Sequence, residues 1–311
     1  MDSAVELREI YKTYVQGIFK KKKKEALKGI NLKIPSGSIW GILGPNGAGK
    51  TTLISIIAGL IYPDRGRVYV LGKELPFCLD QIYKKINISS GHANFLWSLT
   101  VKENLDFYAM LYGLSGKKRE KKIDQLLDLF SLREYRDTRF EELSTGTKQR
   151  LSLAKAFIND PDLILLDEPT VGLDPDTAIS IREIILWFHK KKGATVVITT
   201  HNMAEAETLC DEVSFIFEGR IKIQGRPEDL KKILRLGDVV HIRFSGEAPD
   251  LRDIEGIIEI EISDSYMRVI VDDHKLRIPE LIRRFLKNGT SVERIEIDEA
   301  DLEDVFISFS R

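Results

Sequence analysis

The sequence predicts an α/β domain with a largely parallel sheet, an inserted helical subdomain, and a small α+β domain at the carboxy-terminal end. Three observations lead there. Through residues 1–235, short apolar runs alternate with amphipathic segments of helical period. A helix-rich stretch of about residues 85–160 interrupts that alternation. After residue 235 the apolar pattern changes to period two and the charge changes sign: residues 236–311 have a net charge of −8, residues 1–235 one of +7.

Each element has its own local reason. Ile39–Leu43 is a short apolar run that stops at a glycine loop, and Thr51–Leu60 follows as a helix with Leu53, Ile56, Ile57 and Leu60 on one face. Arg67–Leu71 alternates as a strand, and Val101–Gly113 and Lys117–Phe130 read as amphipathic helices. Leu163–Leu166 is unbroken apolar sequence, as expected of a strand covered on both faces of a parallel sheet. Thr177–Lys192 is a helix that Gly193 ends, and Thr195–Thr199 is a second buried strand. Val213–Phe217 and Ile221–Ile223 flank Glu218-Gly219-Arg220 as a hairpin. In the second domain Val239–Phe244, Ile254–Ile262, Tyr266–Val271 and Val292–Ile297 read as strands and Pro279–Lys287 as a helix.

Composition excludes several classes of function. Forty-three per cent hydrophobic residues suffice for a core and argue against a disordered chain. Lys and Arg total 47 against 48 Asp and Glu, which argues against a protein that coats nucleic acid, and no nucleic-acid partner is expected. Two cysteines, Cys78 and Cys210, are too few for a disulfide framework and fit a reducing compartment. No apolar stretch approaches the ~20 residues that span a bilayer, and Met1–Glu6 has no signal-peptide pattern. A soluble cytoplasmic chain is expected, so any membrane role passes through a partner. Lys20–Lys24 is an unbroken lysine run, read as a solvated loop between two strands or as a contact for an anionic surface.

Gly44-Pro45-Asn46-Gly47-Ala48-Gly49-Lys50-Thr51 fits the phosphate-loop pattern G-x-x-x-x-G-K-[ST], between a buried strand and a helix, with Thr52 next on that helix. Glycines let backbone N–H groups approach phosphate oxygens, and the helix start aims its positive dipole end at the same oxygens. Lys50 places a point charge on the β and γ phosphates, and the Thr51 hydroxyl suits Mg²⁺. Asp167, at the end of the apolar run and 117 residues beyond Lys50, suits the same Mg²⁺, and Glu168 can polarise a water for attack on the γ phosphate. A phosphate loop with a Mg²⁺ carboxylate points to a nucleoside triphosphatase.

With these residues in place, residues 4–235 resemble the ATP-binding subunit of ABC transporters. Leu143-Ser144-Thr145-Gly146 resembles the family's LSxG signature, Val171-Gly172-Leu173-Asp174 its D-loop, and His201 its switch histidine. Tyr14 resembles the aromatic residue that stacks on adenine, with Tyr11 a nearby competitor. The resemblance implies ATP and Mg²⁺ as cofactors, Glu168 and His201 as catalytic residues, and two ATP molecules held in a head-to-tail homodimer or heterodimer. Ser144, Thr145 and Gly146 then meet the γ phosphate held by the opposite subunit, where a hydroxyl, a bare backbone and a helix start form a second anion site.

Two departures stand out. The signature has Thr145 and Thr147 where the family has glycine and glutamine, and LSTG forms resemble the ABC-2 type exporter branch. The Q-loop position, counted back from Leu99-Thr100-Val101, falls on Gly91 or His92, with no glutamine. The tail Leu302-Glu303-Asp304-Val305-Phe306 resembles the accessory-domain tail of that exporter branch. The resemblance therefore implies an ATPase motor on the cytoplasmic face of a membrane, driving export through separate permease subunits. Phe95, Leu96 and Trp97 are candidates either for the core or for an anchor to those subunits. A soluble ABC ATPase acting on DNA or ribosomes is the competing reading. It is disfavoured because no heptad run separates Lys50 from Asp167 and the chain has one phosphate loop.

Overall fold

The computed structural model describes residues 2–16, 22–90, 95–233, 237–298 and 301–310. The chain forms two units, residues 1–224 and 225–311. In the first, β1 (Ser3–Gln16), β2 (Lys22–Pro35) and β3 (Ile39–Leu43) precede α1 (Lys50–Ile57). Then come β4 (Arg65–Val70), β5 (Lys73–Leu75), α2 (Leu79–Tyr83) and β6 (Ile86–Ser89). Three helices follow, α3 (Val101–Leu111), α4 (Gly116–Leu129) and α5 (Thr145–Ala156). β7 (Leu163–Asp167), α6 (Pro175–Lys192), β8 (Thr195–Thr200), α7 (Met203–Leu209), β9 (Glu212–Phe217) and β10 (Arg220–Gly225) complete it.

The central sheet has the order β10-β9-β3-β8-β7-β6. β3, β7 and β8 are buried along their whole length, which is why they read as unbroken apolar runs rather than as alternation. Their parallel pairing fixes the site: Leu43 lies opposite Thr200, and Asp167 opposite Thr199. The carboxyl ends of three strands therefore stand side by side, where open parallel sheets place their ligands. A second sheet, β2-β1-β4-β5, is antiparallel throughout its pairings. The expected largely parallel sheet thus has an antiparallel companion. Apolar side chains of both sheets and of α1 meet in one core, including Leu7, Ile30, Ile42, Leu53, Val68 and Leu165.

The helical stretch begins later than residue 85, because Ile86–Ser89 pairs with β7 as an edge strand of the central sheet. α3 starts on a capping box: Thr100 Oγ1 accepts from the Glu103 N–H at 3.2 Å, and Glu103 Oε2 accepts from the Thr100 N–H at 2.8 Å. The buried Asn104 donates to the Leu96 and Leu99 carbonyls at 3.1 Å and accepts from the Leu96 N–H at 2.9 Å, tying the preceding loop to the helix. Among the described residues, no helix is long and apolar enough to cross a membrane.

The second unit holds α8 (Pro227–Ile233), β11 (Asp238–Ser245), β12 (Ile257–Ser263) and β13 (Tyr266–Val271), then α9 (His274–Lys287), β14 (Ser291–Asp298) and α10 (Leu302–Ser310). α8 packs with α10, so the division falls before α8 rather than after residue 235. The antiparallel order β12-β13-β11-β14 turns Val240, Ile242, Phe244, Met267, Val269 and Val271 to one face, against Leu281 and Phe285 of α9. α9 starts at His274 and not at Pro279, because Asp273 caps it by accepting from the Lys275 N–H at 2.8 Å. The Leu302–Phe306 tail is helical, with Leu302 and Val305 buried.

Candidate functional site

The loop between β3 and α1 needs its glycines for space as well as for backbone angle. A Cβ on Gly44 would lie 2.1 Å from the Ile216 carbonyl oxygen, and one on Gly49 would lie 2.7 Å from that of Ala26. Gly49, at φ 114°, is the N-cap of α1 and offers no side chain, so the first-turn N–H groups have no side-chain acceptor there. Lys50 is 5% exposed, and its ammonium donates to the Gly44 carbonyl at 2.6 Å and pairs with Glu168 Oε1 at 3.1 Å.

The acidic pair arrives from β7. In an extended strand, neighbouring carboxylates would face opposite sides of the sheet. Glu168 breaks that alternation with a left-handed φ of 50°, a conformation that costs a non-glycine residue on the order of 1 kcal/mol. Two hydrogen bonds at 3.1 Å, from the Glu168 N–H to the Thr199 carbonyl and to Thr199 Oγ1, hold the turn. Asp167 Oδ1 then accepts from Thr199 Oγ1 at 2.5 Å and from Thr51 Oγ1 at 3.3 Å, while Glu168 reaches Lys50. His201, just past β8, places Nδ1 2.8 Å from Glu168 Oε2. Gln149 of α5 donates to the Pro169 carbonyl at 3.1 Å and so supports the chain after the acidic pair.

Asn46, Gly47, Lys50, Thr51, Glu168 and His201 line one cleft of about 390 Å³, with Asp167 held against Thr51 behind it. Tyr14 and Thr52 line it too, with the Tyr14 hydroxyl 3.5 Å from Thr52 Oγ1. Tyr11 does not line it; its hydroxyl donates to Glu9 Oε2 at 3.3 Å and its ring lies under the Arg65 guanidinium. Lys24, the last of the lysine run, lines the same cleft, while Lys20 and Lys21 lie outside the described residues.

Two expected groups, Ser144–Gly146 and Asp174, are not among the residues that line this cleft. Ser144 caps α5, its Oγ accepting from the Thr147 N–H at 3.2 Å, and Thr145 and Gly146 form the first turn. A Cβ on Gly146 would meet only Leu173, at 3.7 Å, so the helix start keeps open space in front of it. Asp174 caps α6 through the Thr177 N–H at 2.9 Å and the Thr177 hydroxyl at 2.7 Å, bonds that hold its carboxyl below the usual range. Gly91 and His92 lie outside the described residues. The aromatic cluster divides: Phe95 is buried between Tyr108 and Phe140, whereas Trp97 is 66% exposed with the Lys148 ammonium 5.6 Å above its ring.

Residues 27–171 match the ABC transporter family, and residues 225–309 match the C-terminal domain of DrrA1-3-like ATP-binding proteins. A Nod factor export ATP-binding protein I of Rhizobium etli is 35% identical over 307 residues, 98% of this chain and 92% of that one. A dimeric ATP-binding cassette in a post-hydrolysis state bound to ADP and Pi is 29% identical, with a TM-score of 0.66 over 71% of this chain and 98% of its own. A subunit from Clostridium perfringens, part of an ABC transporter complex, is also 29% identical, with a TM-score of 0.63 over 76% of this chain and 94% of its own.

Proposed function

From the premise that the chain belongs to the ABC transporter ATP-binding proteins, a family of ATPases, we propose that it is the motor of an exporter. Two copies, or one copy and a related subunit, enclose two ATP molecules head to tail. One observation carries the reading: the cleft gathers Lys50, Thr51, Glu168 and His201, while the open helix start at Ser144–Gly146 is not part of its lining in the same chain. A second anion site displaced from the first suits a nucleotide shared across two subunits.

Within that reading, Lys50 and the loop N–H groups hold the phosphates, and the Tyr14 ring lies against the base. Glu168 orients a water and takes its proton as the water oxygen attacks the γ phosphorus and the bond to the β–γ bridging oxygen breaks. His201 fixes one oxygen of that carboxylate. The donor set fits Mg²⁺: the Thr51 hydroxyl and the Asp167 carboxylate are hard oxygen ligands already in mutual contact. When bound, Mg²⁺ would supply neutralisation of phosphate charge at those two residues.

The exposed Trp97 and Leu96 suit docking of separate permease subunits, which select the cargo. The chain then works peripherally, on the cytoplasmic face of the membrane. The relative named for Nod factor export supports export as the direction. The test is MgATP hydrolysis by the purified chain across a dilution series. A dimeric motor loses specific activity on dilution as it dissociates. Constant specific activity in a chain that stays monomeric during turnover contradicts the proposal.

A further inference from the structure

Lys24 belongs to no motif, yet it lines the nucleotide cleft. β1 and β2 pair antiparallel with Tyr14 directly opposite Lys24, so the two side chains share a face of the ribbon. The Lys24 ammonium lies on the loop side, 3.9 Å from the position of a Cβ built on Gly47. The neighbouring cations are committed. Lys12 pairs with Asp64 at 2.9 Å, and Lys50 with Glu168 at 3.1 Å. Among the described residues, the Lys24 ammonium has neither a hydrogen-bond acceptor nor an ion-pair partner.

We propose that Lys24 is a nucleotide-binding residue that takes the α and β phosphates, the end of the chain nearest the base. The placement rests on the reading of this cleft as the ATP site. Tyr14, against the base, stands opposite Lys24 on the ribbon, whereas Lys50 is held by Gly44 and by Glu168, the residue that faces the γ phosphate. A lysine ammonium that approaches Gly47 therefore meets phosphate before the γ group is reached. Lys24 thus distinguishes a nucleotide from a nucleoside without distinguishing a triphosphate from a diphosphate.

The experiment measures equilibrium binding of MgATP and MgADP to the full chain by calorimetry, for the wild type, Lys24→Ala, Lys24→Arg and Lys23→Ala. Lys24 and Lys23 are both exposed, so neither substitution removes core. Loss of one charge-assisted phosphate contact weakens ATP and ADP alike by roughly tenfold. The deficit shrinks as salt rises, because the contact is exposed and screened. Lys24→Arg stays near the wild type, and Lys23→Ala, on the other face of the strand, leaves both affinities unchanged. Unchanged binding in Lys24→Ala overturns the inference, as does a loss confined to ATP, which would place the ammonium at the γ phosphate. A wild type that binds neither nucleotide overturns the ATP-site reading and this inference together.

Discussion

His201 Nδ1 lies 2.8 Å from one carboxylate oxygen of Glu168, and Lys50 Nζ lies 3.1 Å from the other. The carboxylate is thereby clamped between a residue of the phosphate loop and one just past β8. Lys50 follows β3 through the phosphate loop, Glu168 follows β7 and His201 follows β8, and the parallel sheet sets those strand ends side by side, so the clamp is a consequence of strand order.

Glu168→Gln keeps the size and the hydrogen-bonding capacity of the side chain and removes its basicity. Hydrolysis should fall by roughly 10²–10⁴-fold while MgATP still binds, and the variant should collect as a nucleotide-bound dimer on a sizing column. Turnover at the wild-type rate would remove Glu168 from the chemistry.

Gly49→Ala introduces a Cβ 2.7 Å from the Ala26 carbonyl oxygen at a residue with φ 114°. The loop must shift, so nucleotide affinity should be lost while the circular dichroism spectrum stays native. Normal MgATP affinity in this variant would mean that the loop geometry is not what holds the phosphates.

The contiguous chemistry was legible in the sequence. A phosphate loop needs its glycines, lysine and threonine in one stretch, so Gly44–Thr51 announces itself, as does Asp167-Glu168 after an unbroken apolar run. What was not legible lies in single residues with ordinary local readings. Thr199 in a buried strand reads as one more β-branched residue, yet it holds Asp167 and the left-handed turn at Glu168. Gln149 reads as a helix former, and its bond to the Pro169 carbonyl is purely tertiary. Lys24 is hidden in a charge run, and only the register of β1 on β2 carries it to the cleft. Pro279 reads as a helix start because proline favours the first turn, but Asp273 caps the helix further upstream.

Trp97→Ala should leave the isolated chain folded, since the ring is 66% exposed, and should weaken co-purification with the permease subunits. Phe95→Ala, which removes a ring buried between Tyr108 and Phe140, should instead lower stability by about 3–5 kcal/mol in a denaturant titration. Undiminished assembly of Trp97→Ala would exclude that ring as an anchor.

Lys155 is buried in α5, with its ammonium donating to the Ile88 carbonyl at 2.6 Å, and burial pushes its pKa from 10.5 down to about 8. The native state therefore releases a proton that the unfolded chain keeps between those two values. The cost of burying the charge is fully present below about pH 8 and is relieved as pH rises toward 10.5. Lys155→Met should raise the melting temperature at pH 7, and that gain should shrink steadily above pH 8. A difference between variant and wild type that does not change with pH would show that the lysine does not titrate in the folded state.

The shared-site architecture is tested most directly by complementation between two inactive subunits. Lys50→Ala disables the loop, and Ser144→Arg blocks the helix start that faces the partner's nucleotide. Each variant alone should be without ATPase activity. In a heterodimer of the two, one composite site carries both lesions and the other carries none, so about half of the wild-type activity per dimer should return. Heterodimers shown to form, yet without restored hydrolysis, would contradict the claim that Lys50 of one subunit and Ser144 of the other act on the same ATP.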